Sequence, residues 1–175
     1  NTGARYNPTT NTWTATNAGT APSGRGSHSA IWSGTEMIVW GGTADGAASV
    51  LDTGSRYNPT TDSWTVMNST GVPMARQGHT AVWTGTEMLI WNASATSNGR
   101  YNPTTNTWAS IATNPAGPAG LETHIPVWTG TDLIILGLGS GATSTVAAYS
   151  YSPISDSWTN IADPSVTITN GIGAA

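Results

Sequence analysis

The chain of 175 residues contains no cysteine and no lysine, and only 8% of it is charged. Without Cys there is no disulfide framework, no thiolate metal or iron–sulfur site and no cysteine nucleophile. All five basic residues are arginines (Arg5, Arg25, Arg56, Arg76, Arg100), and the net charge is −4. Nucleic acids and anionic membrane surfaces both call for a dense basic patch, so neither is an expected partner. Long apolar runs are missing too. Met37–Trp40 and Leu133–Leu136 are among the longest, far short of the ~20 residues that span a bilayer, and no membrane insertion is expected. Apolar residues never hold a helical period, because Gly and Pro interrupt every candidate window. The chain opens at Asn1 with no Met and no leader-like segment, so a targeting signal is expected to have been removed or to lie upstream.

What is present is aromatic area and repetition. Nine Trp and five Tyr are too many for a chain that cannot bury them, which argues for an ordered domain. Arg5-Tyr6-Asn7-Pro8-Thr9-Thr10 returns at 56–61 and 100–105, and Tyr151-Ser152-Pro153 is a decayed fourth copy. The tyrosines recur at intervals of 51, 44 and 50 residues, a period that suits propeller blades rather than helical repeats. A second block, Ser29–Trp40, returns at 80–91 and weakly at 125–136.

Each block reads as a β-hairpin. Ser33-Gly34-Thr35, Thr84-Gly85-Thr86 and Thr129-Gly130-Thr131 supply a Gly for the positive φ of a tight turn. In the other block Pro presets φ, and Asn or Asp closes the turn through its side chain, as in Asn58-Pro59-Thr60-Thr61-Asp62. Four strands per repeat result, named a to d. The unbroken apolar runs fall on b, which must therefore be buried on both faces.

A four-stranded meander of this period, with Tyr on c, Trp on d and Gly41-Gly42 after b, resembles the kelch repeat of bacterial type. The resemblance implies an all-β propeller of four-stranded antiparallel blades. Here they amount to about three and a half: a c–d hairpin at 1–17, blades at 27–67, 78–111 and 123–161, and 162–175 as a tail or the start of another blade. A closed ring takes roughly 4–8 blades. Further blades would come from the same longer chain or from other copies, or the array stays open. The Trp-to-His spacing places a next strand a near residue 173.

Repetition also weighs against catalysis. Arg25 and His28, echoed as Arg76 and His79 with His124 in the third copy, could form an acid–base or carboxylate-binding pair. A catalytic group is needed once, whereas these recur in every blade. They are read as structural, each His with one ring nitrogen on a backbone carbonyl. Tyr57, Tyr101, Trp64 and Trp108 are read as blade packing by the same logic. Glu36, Glu87 and Asp132 are read as turn residues. No catalytic residue, metal site or cofactor is expected. Kelch-like copper oxidases use a Tyr crosslinked to Cys, which this chain cannot form.

Length variation is more informative. From Tyr to the following Trp the count is always 7, and from His to the end of b always 12, whereas from the end of b to the next Tyr it is 17, 10 and 15. Variation collecting on one face of a repeat protein marks a binding face. The expected site is therefore the b–c loops, with Asp45, Asp52, Asn92, Ser94, Asn98, Ser140 and Thr143 as candidates. The loop Thr43–Asp52 is expected to be exchangeable for the shorter one at little cost to folding. The function expected is a secreted or surface-displayed binding module for a protein or glycan. The alternatives are part of a carbohydrate-acting enzyme, or a structural subunit of an extracellular assembly.

Overall fold

The computed structural model describes residues 1–44, 49–92, 97–113, 121–139, 144–161 and 167–168. Over these the chain is strand and turn with no helix, hence none long and apolar enough to cross a membrane. At the N-terminus β1 (Ala4–Asn7) and β2 (Thr12–Ala15) form a two-stranded sheet. The first full blade is β3 (Ser29–Trp32), β4 (Met37–Trp40), β7 (Gly54–Asn58) and β8 (Ser63–Val66). The second is β9 (Thr80–Trp83), β10 (Met88–Trp91), β11 (Gly99–Asn102) and β12 (Thr107–Ser110). The third is β13 (Leu121–Trp128), β14 (Leu133–Gly139), β15 (Ser144–Ser152) and β16 (Ser157–Ile161).

Each blade is an antiparallel meander in the order a, b, c, d, as the repeats imply, and the blades stack in chain order through their first strands. Three short strands lie outside that pattern. β5 (Thr43–Ala44) pairs with β6 (Ser49–Val50) inside the first b–c loop, and β17 (Thr167–Ile168) pairs with the start of β15. The position near residue 173 lies outside the described residues.

The turns form as their residues require. Gly34, Gly85 and Gly130 sit at φ of 98°, 102° and 103° in the a–b turns. In the c–d turns the side-chain oxygens of Asn7, Asn58 and Asn102 accept the two amides that follow Pro. The turn then closes through Asn11, Asp62, Asn106 and Asp156, all in the left-handed region, which Asn and Asp tolerate better than other side chains.

Strand b divides its side chains between two layers, because successive residues point to opposite faces. Ile38 and Trp40 pack with Met88, Ile90, Tyr101 and Trp108 between the first two blades. Leu89 and Trp91 pack with Leu133, Ile135 and Tyr151 between the second and third. The core is thus a series of inter-blade layers, and truncating Trp40 or Trp91 to Ala removes about 3–5 kcal/mol.

Candidate functional site

The outer joint between blades is built from Trp, Tyr and the turn carboxylate or amide. Trp64 Nε1 donates to Asn17 O at 3.0 Å, Trp108 to Asn68 O at 3.0 Å and Trp158 to Ala112 O at 2.9 Å. The N–H of that same acceptor residue donates to the next blade's turn, at Asp62, Asn106 or Asp156 Oδ1. Each of these Oδ1 atoms also accepts the Tyr hydroxyl of its own blade, at 2.5, 2.6 and 2.6 Å for Tyr57, Tyr101 and Tyr151. Burial pushes the Tyr101 phenol up to about 12. The Tyr57 hydroxyl, followed by the Asn17 amide, holds the Asp62 carboxyl below the usual range. These groups are therefore fixed in charge near neutral pH and do packing work.

Nearer strand a, His79 Nε2 meets Ser29 Oγ at 2.8 Å and His124 Nε2 meets Thr80 Oγ1 at 2.9 Å. The partner is a hydroxyl of the preceding blade, not the backbone carbonyl the sequence suggested. A carbonyl can only accept, whereas a hydroxyl suits either imidazole tautomer. Each ring stands edge-on to an indole, Trp40 or Trp91. Burial first, then Arg76 and His28, brings the His79 pKa down to about 4. His28, whose preceding blade is the β1–β2 hairpin, is exposed.

Arg25 and Arg76 tie down the loops of their own blades. Arg25 Nη1 donates to Gly41 O at 3.0 Å and Thr53 O at 2.7 Å, the two ends of the first b–c loop. Arg76 donates to Asn98 Oδ1 at 3.0 Å and to Ser97 O. Among the candidate contact residues, Asp52 has an exposed side chain while its carbonyl accepts Trp40 Nε1 at 3.0 Å. Asn98 Oδ1 also accepts the Asn92 amide at 3.0 Å, and Asn92 Nδ2 donates to Gly78 O at 3.1 Å. The Asn98 carboxamide and the Asn92 amide group are thus engaged in the loop stem. Asp45, Ser94, Ser140 and Thr143 lie outside the described residues.

The stem of the first loop is itself part of the blade joint. Gly26 and Thr43 pair, Leu51 N–H donates to Gly42 O at 2.8 Å, and Arg76 N–H donates to Leu51 O at 3.2 Å. Exchange of the whole segment Thr43–Asp52 would disturb these bonds, so the expectation that it is interchangeable does not extend to the stem residues Thr43 and Leu51. Gly41 marks a close approach of the second blade to this stem. With φ at 70°, a Cβ there would lie 2.8 Å from His79 Cε1 and 3.0 Å from Arg76 O.

The opposite face carries ion pairs that sequence reasoning missed. Arg56 meets Glu36 at 3.1 Å and Arg100 faces Glu87 at 3.9 Å within their blades. Arg5, Arg56 and Arg100 also reach the Pro59, Pro103 and Pro153 carbonyls of the following blade at 2.6, 2.5 and 2.9 Å. The signal lay in the repeats: the third copy, with Ser150 in place of Arg, has Asp132 in place of Glu. A polar cleft of about 490 Å³ opens here between the first two blades, lined by Glu36, Arg56, Trp83, Asn102 and Thr104. Its one carboxylate is neutralised by Arg56, which leaves no acid–base pair. Among the described residues, no group of three or more His, Asp or Glu is placed to hold a metal ion.

Comparison with known proteins accords with this geometry. A solved structure titled "Structure of YjhT" superposes with a TM-score of 0.62 at 17% identity, over 88% of this chain and 56% of that one. The chain therefore spans little more than half the length of that protein, and the likeness concerns fold. The search of curated proteins returned no match. The family model described as the KLHDC2/KLHL20/DRC7 Kelch-repeats domain matches residues 1–170. By that match, and by its four-stranded blades, the chain belongs to the kelch-repeat family.

Proposed function

We propose that this chain is a protein-interaction module whose partner docks on the b–c loop face. One observation carries the reading: loop length varies from blade to blade on that face alone, while the a–b turns keep one length and one backbone hydrogen bond, and the c–d turns keep one length and close on an Asn or Asp in the left-handed region. Arg25 and Arg76 support it, because a loop stem clamped by an arginine lets the tip vary without disturbing the blade. Kelch membership supports it as well, since kelch domains generally mediate protein interactions. The exposed side chains of Ser49, Val50 and Asp52 offer a mixed apolar and acidic contact surface. Its small charge and lack of an aromatic anchor suit modest affinity. The location that goes with this reading is extracellular or cell-surface, on composition alone.

The test is site-specific photocrosslinking in the source cell. A photoreactive side chain at Asp52, on the loop face, should give a discrete protein adduct, and the same group at Thr60, on the turn face, should give none. Adducts at Thr60 alone would move the function to the turn face.

A further inference from the structure

Each complete blade joint holds an unbroken run of aromatic rings. In the first, Tyr101 meets Trp108 with centroids 5.0 Å apart, and Trp108 meets Trp40 at 5.6 Å. In the second, Tyr151 meets Trp158 at 5.1 Å, and Trp158 meets Trp91 at 6.0 Å. Tyr57 and Trp64 form the same pair at 5.0 Å. Rings this close exchange an electron readily, so an oxidised indole passes its deficit to a neighbouring ring. The proton decides where the deficit stops, because a one-electron-oxidised indole or phenol is a far stronger acid than its parent. The N–H groups of Trp40, Trp64, Trp108 and Trp158 all donate to backbone carbonyls, those of Asp52, Asn17, Asn68 and Ala112. A carbonyl accepts a hydrogen bond but does not take up a proton at neutral pH. The phenols differ among themselves. Tyr57 and Tyr151 donate to carboxylates, Asp62 Oδ1 at 2.5 Å and Asp156 Oδ1 at 2.6 Å, within the range of charge-assisted bonds. Tyr6 and Tyr101 donate to the amide oxygens of Asn11 and Asn106, at 3.0 and 2.6 Å, and an amide is no base.

We propose that Tyr57 and Tyr151 are redox-active tyrosines, each giving one electron to the oxidised indole beside it and its phenolic proton to Asp62 or Asp156. The oxidant is a one-electron radical oxidant arriving from solvent, of the class of the carbonate radical. It removes one electron from an indole, Trp64 in one case and Trp91 or Trp158 in the other. An electron from the phenol restores the indole, the phenolic O–H bond breaks, and the proton passes to the carboxylate Oδ1. The products are a neutral tyrosyl radical and a carboxylic acid. Both carboxylates are half-buried, so the acid then returns its proton to water. Tyr57 and Tyr151 are 4% and 0% exposed, which keeps the radicals from coupling with one another or with a second chain. In the first joint Asn106 takes no proton, and the deficit stays on Trp108 or Trp40. The aromatic runs thus do more than pack: wherever Asp closes the c–d turn, they lead oxidising equivalents off the indoles and onto a buried phenol.

The test is photo-oxidation of the full chain by a ruthenium(II) tris-bipyridine complex with persulfate. Freeze-quench electron paramagnetic resonance then separates tyrosyl from tryptophanyl radicals. The native chain should give mainly tyrosyl signal, rising more slowly in heavy water because the proton moves with the electron. Asp62→Asn with Asp156→Asn should lose most of that signal and gain tryptophanyl signal. This variant keeps an acceptor for each phenol, and Asn already closes the turns at Asn11 and Asn106, so circular dichroism should show the native fold. Asn106→Asp should add a tyrosyl signal that Tyr101→Phe removes, and it decides the matter alone should the double variant misfold. Three results would overturn the proposal: a tyrosyl signal indifferent to the Asp→Asn changes, no gain from Asn106→Asp, or a tyrosyl signal undiminished in Tyr57→Phe with Tyr151→Phe, which would place the radical on Tyr6 or Tyr149.

Discussion

The indole of Trp40 and the imidazole of His79 meet edge-on across the first blade joint, ring centroids 5.0 Å apart at 78°. The next joint repeats the contact with Trp91 and His124 at 4.9 Å and 86°. Replacing His79 with Ala removes the ring contact and the Ser29 hydrogen bond, and should lower stability by about 1–3 kcal/mol. Replacing His28, which is exposed, should change it by less than about 0.5 kcal/mol. Urea unfolding of the two variants checks the contrast, and equal losses would contradict the packing role.

The same joint sets a pH dependence. His79 titrates at about 4 when folded, against an ordinary value of 6.5. Between these values the unfolded chain binds more protons, so stability is full above pH 6.5 and falls as pH drops toward 4. The charged groups acting on the ring are Arg76 and His28, both opposing its protonation, and burial lowers the His124 pKa in the same direction. Urea midpoints should therefore decline from pH 7 to 4.5 in the native chain and decline less in a His79→Gln variant. A parallel decline in both would mean that other groups carry the effect.

Two glycines separate conformation from space. Gly34 and Gly41 both have positive φ, but a Cβ at Gly34 meets nothing within 4 Å, whereas at Gly41 it meets the His79 ring and a backbone carbonyl. Gly34→Ala should cost only the left-handed penalty of about 1–2 kcal/mol. Gly41→Ala should cost a further 1–3 kcal/mol or so for forcing the blades apart. Thermal melts would show the larger drop for Gly41→Ala.

The strand order, both turn types and the burial of strand b were legible because each rests on residues that repeat: Gly34 and its copies, the Asn-Pro turns, and the apolar runs. The hydroxyl partners of the histidines were not, because Ser29 and Thr80 bond to the blade that follows and nothing local marks them. The Arg56–Glu36 pair was missed for a related reason, its partners being 20 residues apart, one at the end of the a–b turn and the other on strand c. Among the described residues the β5–β6 ladder has no counterpart in the other two b–c loops, so no repeated pattern announced it. Asp52 and the Asn98 stem could be placed on the loop face by counting strands, but counting could not tell a tip residue from one tied into the joint.

That distinction defines the measurement that bears most directly on the interaction module. Residues 44–49 are replaced by a short Gly-rich turn, leaving Thr43 and Leu51 to hold the stem, and a second variant carries Thr9→Ala, Thr60→Ala and Thr104→Ala on the turn face. Both should melt near the native temperature, since one alters a tip and the other exposed hydroxyls. Affinity for the partner crosslinked through Asp52 should fall about tenfold or more in the tip variant, a loss near 1.4 kcal/mol, and stay unchanged in the threonine variant. Loss of affinity in the threonine variant with the tip variant unaffected would contradict the account and place the interaction on the constant turns.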